Sequence, residues 1–173
     1  ELIYEFQKGK LNFDFVKKYH HYPKSLSTPK LFEQIIKHHN PHEPFMHWLA
    51  SQNQPKWLEM ALKQNQDNSW HKDLFGNTPL ISAAYHGELN QVKILTNNKT
   101  PEQVNYQGQF GGSALFWASY SNQIDIVNYL LFEKHADPNL ISEFGTNALQ
   151  IASENKHLEL MKILHNVTQD PNK

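Results

Sequence analysis

The chain has 173 residues, of which 39% are hydrophobic, a formal net charge of −1 and no cysteine. This length is sufficient for one folded domain with a buried core, and the lack of cysteine excludes disulfide scaffolds, thiolate zinc sites and thiol catalysis. All 16 residues counted as lysine or arginine are lysine. Because arginine is the usual contact to phosphates and guanines, we expect no nucleic-acid partner.

Membrane spans and secretion signals are not apparent in the sequence. No apolar stretch approaches the roughly 20 residues that cross a bilayer, and no signal-peptide pattern follows Glu1. The mean hydropathy of −0.67 is polar for a compact globule and suits an elongated shape. We therefore expect a soluble, cytoplasmic protein without membrane insertion.

Residues 1–43 differ in pattern from the rest of the chain. Segments 11–19 and 30–39 are typical of short helices, the second preceded by Thr28-Pro29 and followed by Asn40-Pro41. We expect these helices to form an N-terminal cap on the following domain, with a small separate module as the alternative.

One sequence unit occurs three times between residues 74 and 164. The copies are LFGNTPLISAAYHGELNQVKIL at 74–95, QFGGSALFWASYSNQIDIVNYL at 109–130 and EFGTNALQIASENKHLELMKIL at 143–164. Equivalent positions Thr78, Ser113 and Asn147 are 35 and 34 residues apart. A period in the mid-thirties indicates a stacked repeat.

Each unit predicts a hairpin turn followed by two helices. Thr78, Ser113 and Asn147 are residue types that cap helix N-termini, and a glycine precedes each of them by two residues, as a tight turn requires. Apolar residues then recur at helical spacing, are interrupted at Gly87, Asn122 and Lys156, and resume as a second apolar helix. A unit of this kind buries its apolar face only against its neighbours.

The residues that carry this pattern resemble the ankyrin repeat, whose core reads T-P-L-H-x-A. They are Gly76, Thr78, Pro79, Leu80, Ala83, Ala84 and Gly87, together with His135-Ala136-Asp137-Pro138-Asn139. The resemblance implies an all-α fold, an α-solenoid of about four stacked helix pairs joined by hairpin turns.

Spacing extends the repeats beyond the three clear copies. Ala50 precedes Ala83 by 33 residues, so 45–72 is predicted to be a degenerate first repeat. The predicted repeat domain covers 44–173, with repeats near 45–72, 73–107, 108–141 and 142–173. Ile81, Phe116 and Gln150 replace the family's histidine, which implies the loss of its usual hydrogen bonds to neighbouring hairpins.

Candidate binding residues lie at the turns and on the first helices. Phe75, Phe110 and Phe144 each precede a hairpin glycine, so they form either a contact surface or packing between hairpins. By resemblance, Tyr85, Tyr120 and Glu154 face the concave groove, and Trp117 belongs either to that surface or to the core. Asn77 and His86 complete the predicted partner-binding set.

Catalytic and metal-binding motifs are not evident. His38, His39 and His42 cluster and His47 follows them, but Pro41 interrupts the segment and no carboxylate pattern completes a site. The string HEPFMH places its second histidine one residue too far for the zinc-protease motif. We expect no metal, no cofactor and no catalytic residues.

The resemblance therefore implies a non-catalytic, monomeric module that binds a protein partner. The composition, rich in lysine and asparagine and free of arginine, also resembles ankyrin-repeat effectors that intracellular bacterial pathogens deliver into host cells. The alternative is a regulatory or substrate-docking segment of a larger enzyme.

Overall fold

The computed structural model describes residues 45–51, 53, 55–64 and 69–169, and these contain helices and no strands. The predicted cap in residues 1–43 and residues 170–173 lie outside them. The helices are α1 (Phe45–Ala50), α2 (Pro55–Gln64), α3 (Pro79–His86), α4 (Leu89–Leu95), α5 (Pro101–Val104), α6 (Ala114–Tyr120), α7 (Ile124–Asn128), α8 (Ala148–Glu154) and α9 (Leu158–Gln169), and a π-helical turn, Tyr129–Glu133, continues α7.

The helices form two layers. Helix α1 packs on α2, α3 on α4, α6 on α7, and α8 on α9, which gives four pairs within the described residues. The first members of the pairs, α1, α3, α6 and α8, also pack on one another in chain order. The second members α2, α4, α7 and α9 do the same. This arrangement confirms the predicted all-α solenoid.

Each clear repeat begins its first helix with a side-chain cap. The Thr78 hydroxyl accepts from the Ile81 amide, the Ser113 hydroxyl from the Phe116 amide, and the Asn147 side chain from the Gln150 amide. These bonds satisfy amides that have no partner inside the helix. The caps therefore fix where the first helix of each repeat begins.

Small residues allow the first helices to approach closely. Ala50, Ala83, Ala118 and Ala152 have no exposed surface, and they occupy the same position in successive repeats. Larger apolar side chains, among them Leu58, Leu95, Leu130, Leu160 and Leu164, fill the space between the two layers. The core therefore runs continuously from one repeat to the next.

The residues that replace the family histidine serve other purposes. Ile81 and Phe116 are buried, and the Gln150 side chain accepts from the Asn147 amide to complete a capping box. Two of the three positions thus add apolar packing, and the third stabilises a helix start.

Other side chains link neighbouring hairpins instead. The Gln109 amide donates to Asn77 Oδ1 at 2.9 Å, and Gln107 Nε2 donates to the Ile141 carbonyl at 2.9 Å. The Tyr106 hydroxyl also donates to the Gly76 carbonyl at 3.2 Å. The expected loss of histidine bonds therefore does not leave the hairpins unconnected.

Leu160 and Leu158 on α9 provide a matched test of this core. Leu160 has no exposed surface, whereas Leu158 is 69% exposed. Leu160→Ala should lower the free energy of unfolding by about 2–5 kcal/mol because it leaves a cavity, and Leu158→Ala should change it by less than about 0.5 kcal/mol. Urea denaturation measures both values, and equal losses would contradict this placement of α9.

Candidate functional site

A cavity of about 350 Å³ opens between the hairpin at residues 73–77 and the first helices α3 and α6. Five of the predicted binding residues line it: Asn77, Tyr85, His86, Trp117 and Tyr120. Asp73, Ile81, Ser82 and Gln109 complete the wall. The cavity therefore joins aromatic side chains from two repeats to polar side chains of the hairpins.

Three rings form an aromatic cluster, defined here as Tyr85, Trp117 and Tyr120. The Tyr85 and Tyr120 rings lie 21° from parallel with centroids 6.3 Å apart. The Trp117 ring meets both edge-on, at 5.9 Å from Tyr85 and 5.6 Å from Tyr120. Both tyrosines are 42% exposed, so their ring surfaces remain accessible to a partner.

Trp117 is held in place by the preceding hairpin. A Cβ atom at Gly112 would lie 2.4 Å from Trp117 Nε1 and 3.0 Å from the Phe116 ring, so only glycine permits this close approach. Trp117 is half-buried, and its Nε1 has no hydrogen-bond partner among the described residues. The indole is thus both packed on the hairpin and part of the cavity wall.

Asp73 organises the polar end of the cavity. Its Oδ1 accepts hydrogen bonds from the Phe75 and Asn77 amides, both at 2.9 Å, and its Oδ2 accepts from Asn77 Nδ2 at 3.3 Å. Asn77 Oδ1 in turn accepts from the Gln109 amide. The carboxylate therefore shapes its own hairpin and, through Asn77, fixes the position of the next one.

The residues that form this surface match a known family. The sequence model of the family described as "Ankyrin repeats (3 copies)" matches residues 46–142. This match covers more than half of the chain. The chain belongs to the ankyrin-repeat family.

A human protein shows a similar sequence. It is the transient receptor potential cation channel subfamily A member 1 of Homo sapiens, which is 27% identical over 122 residues. The similar region covers 69% of this chain but 11% of that protein. The chain thus spans about a tenth of the length of the curated relative it matches.

The three phenylalanines lie at exposed tips of the ankyrin hairpins. Phe75 is 64% exposed, Phe110 42% and Phe144 65%. The rings of Phe110 and Phe144 are in contact, with centroids 5.2 Å apart, whereas no ring among the described residues contacts Phe75. The three phenylalanines are therefore a contacting pair, Phe110 and Phe144, and a separate Phe75.

Phe110 adopts a strained backbone conformation. Its φ is +57°, a region that side chains other than glycine, asparagine and aspartate seldom enter. The Glu143 amide donates to the Phe110 carbonyl at 2.8 Å, so a bond to the next hairpin stabilises this conformation. Strain of this kind persists where the surrounding structure enforces it.

The remaining predicted site residue lies apart from the cavity. Glu154 is exposed on α8 and does not line the cavity.

Of the predicted histidine cluster, His38, His39 and His42 lie outside the described residues. Within the described ranges, no group of three His, Cys, Asp or Glu side chains is arranged to hold a metal ion. No helix there is long and apolar enough to span a bilayer.

His47 lies in the core beneath the polar end of the cavity. Its Nε2 is 3.0 Å from the His71 carbonyl, and its Nδ1 is 2.9 Å from Ser82 Oγ. Because a carbonyl oxygen only accepts, the proton is assigned to Nε2, and Nδ1 accepts from the Ser82 hydroxyl. Burial lowers the pKa of His47, against the raising effects of the His71 carbonyl and the Asp73 carboxylate. The ring is therefore neutral at neutral pH.

This neutral ring predicts a pH-dependent stability. The folded-state pKa lies below the 6.5 of an unperturbed imidazole, so the unfolded chain binds the proton first as the pH falls. The contribution to stability is complete above pH 6.5 and is lost as the pH falls through the folded pKa. His47→Gln, which does not titrate, should flatten this loss in urea unfolding measured between about pH 5 and 8.

A matched control separates this effect from the other histidines of the chain. His165 is exposed on α9, so His165→Gln should retain the wild-type pH profile. If the stability of the His47 variant depended on pH as the wild-type stability does, the assignment of a neutral, buried ring would be contradicted.

Proposed function

We propose that the chain is a non-catalytic protein-interaction module whose partner binds across the cavity and the hairpin tips. The observation that carries the proposal is the aromatic cluster, which presents two tyrosines at 42% exposure over an open cavity. Tyrosine and tryptophan are enriched among the residues that dominate binding energy at protein interfaces. Exposed apolar clusters on a monomer also commonly mark such contacts.

The rigidity of the hairpins supports the same proposal. The bond from the Gln109 amide to Asn77 and the bonds from Gln107 Nε2 to the Gly111 and Ile141 carbonyls hold the hairpins in a fixed relation. A surface that is ordered before binding loses little conformational entropy on association. We propose that residues 44–173 act as one such unit, with repeats near 45–72, 73–107, 108–141 and 142–173, and that this unit is a monomer.

Two narrower proposals concern the setting of this module. The arginine-free composition, rich in lysine and asparagine, is the basis for proposing an effector that is delivered into the cytoplasm of a host cell and acts there on a host protein. The alternative is a regulatory or substrate-docking segment of a larger enzyme. The comparison supports only the first part of this alternative, a segment of a longer protein, because the similar region makes up 11% of the human relative.

Paired affinity capture tests the module and its surface together. Proteins retained by the wild-type chain are compared with those retained by Tyr85→Ala, Tyr120→Ala and Phe132→Ala variants. Phe132 is the control because its aromatic side chain is also exposed, at 54%, but does not line the cavity. We expect a specific partner to bind about 1–3 kcal/mol more weakly to each tyrosine variant and with wild-type affinity to the Phe132 variant. A partner indifferent to both tyrosines would contradict the proposed surface.

The hairpin tips allow stability and binding to be separated. Phe75→Ala should change the free energy of unfolding by less than about 0.5 kcal/mol, because the ring is 64% exposed. Phe110→Ala and Phe144→Ala should show a coupling energy of about 0.5–1.5 kcal/mol in a double-mutant cycle, since their rings are in contact. If the tips contact the partner, each change weakens binding by about 1–3 kcal/mol. Unchanged affinity in a variant removes that ring from the binding surface.

A further inference from the structure

The Asp73 carboxylate has no cationic partner among the described residues at neutral pH. Its side chain is only 19% exposed, and the nearest ionisable nitrogen is His47 Nδ1, 3.9 Å from Oδ2. That nitrogen carries a lone pair rather than a proton, because Nε2 holds the proton that bonds to the His71 carbonyl. Oδ2 otherwise accepts one long hydrogen bond, from Asn77 Nδ2 at 3.3 Å. A largely buried negative charge is thus left with spare hydrogen-bonding capacity.

The same cavity presents the faces of aromatic rings. Tyr85, Trp117 and Tyr120 line it together with Asp73, and the negative faces of such rings attract cations. The cavity therefore combines a carboxylate with π-surfaces, the two features that stabilise a positively charged side chain away from bulk water.

We propose that this cavity binds an arginine side chain of the protein partner, an inference that rests on the proposed function. The planar guanidinium stacks on a tyrosine face and donates hydrogen bonds to Asp73, a combination that the ammonium of lysine does not match. The volume of about 350 Å³ accommodates one long side chain. Because none of these 173 residues is an arginine, the same region of a second copy cannot supply the side chain.

Three lysines of the described chain, Lys72, Lys93 and Lys99, already have partners within it. Lys72, next to Asp73 in sequence, has its Nζ 4.4 Å from the centroid of the Tyr106 ring. A larger cavity of about 730 Å³ is lined by Lys63, Lys93 and Lys99, but Lys99 donates to Ser69 Oγ, and Lys93 lies over the Tyr129 ring. Two of its three lysines are therefore already engaged within the chain.

Short peptides test the charge preference directly. The first probe is the peptide acetyl-Gly-Ala-Arg-Ala-Gly-amide. In the second, citrulline, a neutral isostere, replaces the arginine, and in the third, lysine replaces it. Binding is followed up to about 10 mM through the Trp117 indole N–H resonance, assigned with Trp117→Phe. We expect the arginine peptide to bind at least about tenfold more tightly than the citrulline peptide, since a cation–π contact and a charge-assisted hydrogen bond are both lost. The lysine peptide should bind with intermediate affinity.

Variants identify the groups responsible. Asp73→Asn keeps an acceptor for the Phe75 and Asn77 amides and should remove the preference for arginine over citrulline. Glu102→Gln changes the net charge equally on an exposed part of α5 and should leave the preference unchanged. If Asp73→Asn proves unfolded by circular dichroism, Tyr120→Leu provides the second test and should weaken arginine-peptide binding several-fold while the carboxylate is retained.

The outcomes distinguish this inference from the function on which it rests. Equal binding of arginine and citrulline peptides, no shift of the Trp117 resonance, or an unaltered preference in Asp73→Asn would overturn the arginine site. Equal binding of the lysine and arginine peptides would overturn the choice of arginine. If captured partners are lost in the Tyr85 and Tyr120 variants but no arginine preference exists, the proposed function stands and the arginine site falls. If the arginine preference exists but no partner is captured, the arginine site stands and the proposed function falls.

Discussion

Close stacking of the first helices is the constraint on which the rest of the structure depends. These helices are six to eight residues long, too short to be stable alone in water. They are stabilised where alanines without exposed surface, such as Ala83 and Ala118, let one helix lie against the next. Tyr85 and Tyr120 each follow one of these alanines by two residues. Their near-parallel rings are therefore a direct consequence of the repeat register.

The register also determines where the aromatic surface ends. In the fourth repeat the position equivalent to Tyr85 and Tyr120 is Glu154, which is exposed on α8. The row of aromatic rings thus covers two neighbouring repeats and then gives way to a carboxylate. His157 Nε2 bonds to the Tyr120 carbonyl at 3.0 Å, so the fourth repeat supports the aromatic cluster through the backbone rather than by extending it.

Much of the fold is predictable from sequence because its signals are local. The caps at Thr78, Ser113 and Asn147 are each completed by an amide three residues away, and the period follows from their spacing. Helix α5 was not predicted, although Thr100 and Gln103 form a capping box that the sequence contains. The π-helical turn Tyr129–Glu133 has no local sequence signal that separates it from an α-helix.

The candidate site was predicted only in part, because its polar end is built from distant segments. Tyr85, Trp117 and Tyr120 could be chosen by residue type and position in the repeat. Asp73 was missed, although an aspartate at the start of a turn commonly accepts a hydrogen bond from the backbone amide two residues on. Its role in the cavity depends on His47, which reaches Ser82 across 35 residues of sequence. No spacing rule within one repeat indicates that contact.

The charge of the cavity consequently depends on the packing of the first repeat. Helix α1 buries His47 against α3, and that burial keeps the ring neutral, opposed by the His71 carbonyl and the Asp73 carboxylate. A protonated His47 would place a positive charge 3.9 Å from Asp73 Oδ2 and would compensate the carboxylate from within the protein. Exposure of His47 to water would favour that protonated form. A substitution that loosens α1 is therefore expected to weaken the negative potential of the cavity without altering any residue that lines it.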